Sequence, residues 1–150
     1  MNSNLKFIIK SVKKSLEIEP NNMIIGDLNE GWNEVNNFIH LSYLSEFNGG
    51  RCGSIDLWSM NKLSGNQYRL SALNQNEWLE IGQVLYEPLV LNKTSGEVYL
   101  MDEDVEKKKA SFKDIEYFLS NYVFGQRYKE IIPEGEKDEW YIFLEKFNLI

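Results

Sequence analysis

The residue types that could carry chemistry in this 150-residue chain are few: one histidine, His40, one cysteine, Cys52, and an acidic run at Asp102, Glu103, Asp104 and Glu106. With one histidine, histidine-rich metal sites are excluded, and any Ser-His or Cys-His catalysis must use that single ring. His40 stands between Ile39 and Leu41 on a predicted helix, which suits a structural role. Cys52 would need a base within hydrogen-bond reach to act as a nucleophile, and Arg51 beside it lowers a thiol pKa only modestly. It reads as a small structural thiol. The glycines of Gly49-Gly50-Arg51-Cys52-Gly53 lack the Lys-Ser/Thr that follows a phosphate loop, so a sharp helix-to-strand turn explains them better. The four acids lack the central glycine and terminal glutamate of an EF-hand, so no metal and no cofactor is expected. Two readings stay open for them: a loop offset in part by Lys107, Lys108 and Lys109, or a face turned toward a basic partner.

These residues sit in a chain of ordinary single-domain size, with 43% hydrophobic, 26% charged and 13% aromatic residues. Such a chain buries a core without staples, and residues 1–150 are expected to form one domain. Sixteen basic against twenty-three acidic residues leave a net charge of −7, which repels a phosphate backbone. Nucleic acid is therefore not an expected partner. An unpaired cysteine is easier to tolerate in a reducing compartment, so a cytoplasmic location is expected. Phe7-Ile8-Ile9 is too short an apolar run for a signal-peptide core or a membrane span, and no membrane association is expected.

Helical periodicity marks Leu5, Ile8, Ile9, Val12 and Leu16 as a first helix ended at Pro20. Asp27 with Glu30 resembles a capping box, and Leu28, Trp32, Val35, Ile39, Tyr43 and Phe47 form the stripe of a second helix stopped at Gly49-Gly50. Alternation then takes over: Ile55 and Leu57 predict one strand, Trp78 to Ile81 another, and two apolar segments flanking Asn92 to Gly96 predict a β-hairpin. Pro88 cannot donate a ladder hydrogen bond, so its strand should lie at an edge or carry a bulge there. Ser111 and Asp114 predict a helix start, with Phe112, Ile115, Phe118, Leu119 and Tyr122 as its stripe and Gly125 as its stop. Trp140, Phe143, Leu144 and Phe147 predict a closing helix after the turn at Pro133-Glu134-Gly135. The order implies an α+β fold, an antiparallel sheet with helices packed against it.

Several local words, in this order, resemble the SUKH superfamily, bacterial immunity proteins of polymorphic toxin systems that share a fold with a yeast cell-wall assembly regulator. They are Tyr43-Leu44 running to Asn48-Gly49-Gly50, Ile55-Asp56-Leu57-Trp58 followed by Leu63, Trp78-Leu79-Glu80-Ile81-Gly82, Leu89-Val90-Leu91 with Gly96-Glu97-Val98-Tyr99, and Ser111-Phe112 to Phe118-Leu119. Two places depart from the pattern: Ile25-Gly26-Asp27 stands where a Leu-Pro pair is usual, and Tyr86-Glu87-Pro88 where a glycine and an acid are. The resemblance implies a SUKH-like domain that is not an enzyme. Its partner would be a cognate toxin domain, often a nuclease, neutralised by stoichiometric binding; a monomer or weak dimer is expected. The alternative is a regulatory protein-interaction module without a toxin partner, and a third reading is an enzyme with an undetected carboxylate site. The candidate partner-binding residues are Asp102, Glu103, Asp104 and Glu106, with Trp58 and Trp78 as aromatic anchors.

Overall fold

In a computed structural model that describes residues 1–20, 24–25 and 39–150, seven strands form one sheet in which each strand pairs antiparallel with its neighbours in sequence. The strands are β1 (Ile24–Ile25), β2 (Gly50–Cys52), β3 (Ile55–Leu57), β4 (Trp78–Val84), β5 (Glu87–Asn92), β6 (Val98–Met101) and β7 (Lys108–Phe112). The expected α+β class is what the chain adopts: an antiparallel sheet with helices against it.

The first helix, α1 (Ser3–Ile18), begins where Asn2 Oδ1 accepts the Leu5 N–H at 2.8 Å, and it buries Leu5, Ile9 and Val12. Most of the second predicted helix, including the Asp27 and Glu30 capping pair, lies outside the described residues. Its end, Ile39–Ser45, is a 3₁₀ helix. That tighter winding breaks the 3.6-residue stripe: Tyr43 and Phe47 are buried, but Ile39 is 80% exposed.

Gly50–Cys52, read from sequence as part of a turn, is a strand, and the turn proper is Gly53-Ser54. Gly53 has φ +63°, and a Cβ there would lie 2.2 Å from the Tyr128 hydroxyl. Only glycine fits. The predicted hairpin is β5 and β6, closed by Asn92, whose side-chain oxygen accepts the N–H groups of Thr94 and Ser95. Pro88 does not mark an edge, since β5 lies between β4 and β6. Its neighbours accommodate it instead: β4 shifts register between Glu80 and Gly82, and pairing with β6 begins only at Leu89.

Ser111 and Phe112 do not start a helix; they end β7. The cap is Asp114, which accepts the Tyr117 N–H at 2.7 Å, so α3 runs only from Ile115 to Phe118. It continues as a π-helical turn, Leu119–Val123, closed by a hydrogen bond from Phe124 N–H to the Leu119 carbonyl. After α2 (Met60–Leu63), which follows β3, and α4 (Tyr128–Ile131), the chain ends in α5 (Glu139–Lys146), capped by Asp138.

The sheet buries both faces unequally. Leu89 and Leu91 point into the main core with the helices, whereas Val90 between them points the other way, into a small cluster with Leu70, Met101 and Val105. In the main core Phe112, Phe118 and Tyr122 pack edge-to-face or stacked, and the Trp140 indole N–H donates to the Val123 carbonyl. Leu119 is completely buried there. A Leu119→Ala change is expected to cost about 2 to 5 kcal/mol in a denaturant melt. Tyr43 is the opposite case: its hydroxyl is buried with no hydrogen-bond partner among the described residues, and burial pushes its pKa up. Tyr43→Phe should therefore leave stability unchanged or raise it by about 1 kcal/mol, read by the same melt.

Candidate functional site: a groove on the outer sheet face

The outer face of the sheet is covered in part by the excursion between β3 and β4. Two side chains of that excursion fasten it to Glu80 on β4. Gln67 exchanges two hydrogen bonds with the Glu80 backbone, its Oε1 accepting from the amide and its Nε2 donating to the carbonyl, both at 2.9 Å. Arg69 grips the carboxylate with Nε at 2.8 Å and Nη2 at 2.9 Å. The Trp58 indole N–H donates to the same carboxylate at 2.8 Å. Glu80 is 1% exposed, so its charge is buried but fully paired. From Arg69 the polar ladder continues across the strands through Gln83 and Asp56 to Arg51. At its far end a cleft of about 190 Å³ lies between Arg51, Asp56, Leu85 and Tyr86.

Held in this way, the excursion forms one wall of a larger, mostly apolar groove of about 390 Å³. It is lined by the buried Val90, Met101 and Val105 and by the more exposed Leu73, Trp78, Glu106 and Lys108. Trp78 and Tyr99 meet edge-to-face at 5.5 Å between ring centroids, their planes inclined at 64°. The Lys108 ammonium lies 4.1 Å from the Tyr99 centroid and 5.3 Å from that of Trp78. The Tyr99 hydroxyl donates to the Glu97 carboxylate, which raises the phenol pKa.

The acidic run forms the turn from β6 to β7. Asp102 shapes it, its Oδ1 accepting the N–H groups of Glu106 at 2.8 Å and Lys107 at 3.1 Å. These backbone donors, Lys107 first, hold its carboxyl below the usual value. They also turn Val105 (φ +58°) down against the groove floor. Glu103, Asp104 and Glu106 are exposed and make no ion pair among the described residues. Nor do the neighbouring lysines all serve them: Lys109 pairs with Glu87 at 2.6 Å, and Lys108 lies over the rings.

Of the residues singled out from sequence, Trp78 and the acidic turn thus come together at one groove. Trp58 does not join them; it is half-buried, tied to Glu80 and packed against the main core. The residues missed were Leu73, Val90, Tyr99, Met101, Val105 and Lys108. The alternation of Val90, Tyr99 and Met101 against inward Leu89, Leu91 and Leu100 carried part of that signal. His40 packs on the hairpin turn, since a Cβ on Gly96 would lie 2.5 Å from its ring. Among the described residues no group of three or more His, Cys, Asp or Glu is placed to hold a metal ion, and no helix is long and apolar enough to cross a membrane.

No protein-family model matches the sequence, and no curated protein matches it.

Cys52 is wholly buried, and burial pushes its thiol pKa up. A thiol reagent such as Ellman's is therefore expected to leave the folded chain untouched at neutral pH and to titrate one thiol in denaturant. Rapid labelling of the native protein would contradict the buried placement.

Proposed function

We propose that this chain is an immunity protein that binds a cognate polymorphic toxin domain in the cytoplasm and neutralises it stoichiometrically, without catalysis. The observation that carries the reading is the groove itself, with an aromatic pair and an apolar floor beside acids that have no partners of their own. Tryptophan and tyrosine are enriched among the residues that dominate binding energy at interfaces, and a ring of polar groups around such anchors excludes water. A specific interface buries about 800 Å² on each side, so the groove would be its centre and the surrounding sheet face its rim. The net charge of −7 and the acidic border favour a basic partner, such as a nuclease whose groove binds phosphates. The resemblance of the local words to the SUKH superfamily points the same way.

The decisive experiment is co-expression with a toxin domain encoded beside this chain. Growth should be restored, and the purified pair should sediment as a 1:1 complex. A complex that forms without protecting the cell would favour a regulatory interaction module instead; no complex with that toxin would refute the pairing. Within the complex, charge and anchor residues should separate kinetically. Replacing Glu103, Asp104 and Glu106 by Gln, Asn and Gln leaves Asp102 to hold the turn and should slow association roughly tenfold at low salt while flattening its salt dependence. Trp78→Ala should instead speed dissociation and cost at least about 2 kcal/mol of affinity. Surface plasmon resonance at several salt concentrations reads both.

A further inference from the structure

Lys108, on the last strand of the sheet, is exposed, yet its ammonium lies over two aromatic rings and meets no carboxylate among the described residues. Between Leu100 and Met101 the pairing of β6 with β7 shifts register: Leu100 faces Ala110, but Met101 faces Lys108, with Lys109 left over. Ala110 accordingly packs with the main core, and Lys108 falls on the same outer face as Met101. The shift sends the two lysines to different acceptors. Lys109 takes the Glu87 carboxylate, and Lys108 lies across Trp78 and Tyr99 although free acids of the turn stand close by in sequence. The ring faces are thus the site that holds its charge.

We infer that Lys108 is an intramolecular stand-in for a cationic side chain of the partner, and that the groove receives a loop presenting an arginine next to an aliphatic residue. The inference rests on reading the groove as a protein-binding face and names the chemistry of what enters it. Guanidinium is the stronger candidate for those rings, being planar, more weakly hydrated than ammonium and able to stack while donating to carboxylates. Two carboxylates are in place for it, Glu97 at the Tyr99 hydroxyl and Glu106 at the groove border. The aliphatic neighbour would sit in the groove of about 390 Å³ against the half-buried Leu73 and Trp78, above the buried Val90, Met101 and Val105. Displacing Lys108 is cheap. Cation–π contacts at exposed sites are weak, and the freed ammonium regains water.

The test uses the whole chain, isotope-labelled, titrated with N-acetyl-arginyl-leucinamide and followed by NMR at the Trp78 indole N–H. N-acetyl-glutamyl-leucinamide is the opposite-charge control, and Lys108→Met keeps most of the stem while removing the competing charge. The arginyl peptide should shift Trp78, Tyr99 and Val105, and its dissociation constant should fall about two- to fivefold in Lys108→Met. The glutamyl peptide should shift none of them. Equal binding of the two peptides would reduce the groove to an apolar surface and overturn the inference, as would absence of any shift at Trp78. Unchanged or weaker arginyl binding in Lys108→Met would show that Lys108 supports the rings and does not occupy a ligand's place. Because the peptides report on the groove alone, these outcomes are independent of whether co-expression protects the cell, which tests the immunity reading separately.

Discussion

The outer face of this protein depends on one buried carboxylate. Glu80 sits in the middle of β4, and a charge removed from water at that position is tolerable only if every oxygen is paired. Arg69 supplies a two-nitrogen grip and Trp58 a third donor, so satisfying Glu80 obliges the long excursion after β3 to fold back over the sheet. Once it does, Leu70 closes over Val90 and Leu73 becomes the wall of the groove. Removing one partner of such a pair strands the other, a much larger cost than losing a surface bridge. The geometry of the outer face is in this sense a consequence of burying a single acid.

The same economy explains why β5 reads as it does. Pro88, Leu89, Val90 and Leu91 are all buried because the strand is covered by helices on one side and by the excursion on the other. A continuous apolar run is the signature of a strand buried on both faces. Proline survives there because the β4 register shift and the late start of β6 pairing relieve the ladder around it. Of the two expectations for Pro88, an edge or a bulge, the edge fails and an irregularity stands close by, in β4 between Glu80 and Gly82.

Where sequence and fold agree, the signal was local. The hairpin, α1 and α5 each carry their own periodicity and turn or cap residues, and none needs a distant partner to be recognised. Where they part, tertiary pairing overrides local pattern. Lys108-Lys109-Ala110-Ser111-Phe112 has no strand-like alternation that survives its bulge, and it is a strand because β6 offers an edge. Gly50-Arg51-Cys52 looks like a turn because glycines dominate it, yet the cross-strand pair of Arg51 with Asp56 holds it in the sheet. The groove was half legible: Trp78 and the acids were visible as types, but Leu73 and Val105 reach it only through Arg69 and Asp102.

The acidic turn brings these threads together. Its shape is set by backbone N–H groups donating to Asp102, so the turn needs one acid and carries four within five positions. Like charges so close repel, and the lysines directly after them would be the natural remedy. Instead the register shift in β7 commits Lys109 to Glu87 and Lys108 to the aromatic pair; Lys107 and Lys109 still act on Asp102 through space, but Glu103, Asp104 and Glu106 form no ion pair among the described residues. A fold optimised for stability alone would spend its nearest counter-charges on that repulsion. On the reading proposed above, a rim kept negative attracts a positively charged partner, and the repulsion becomes attraction on contact.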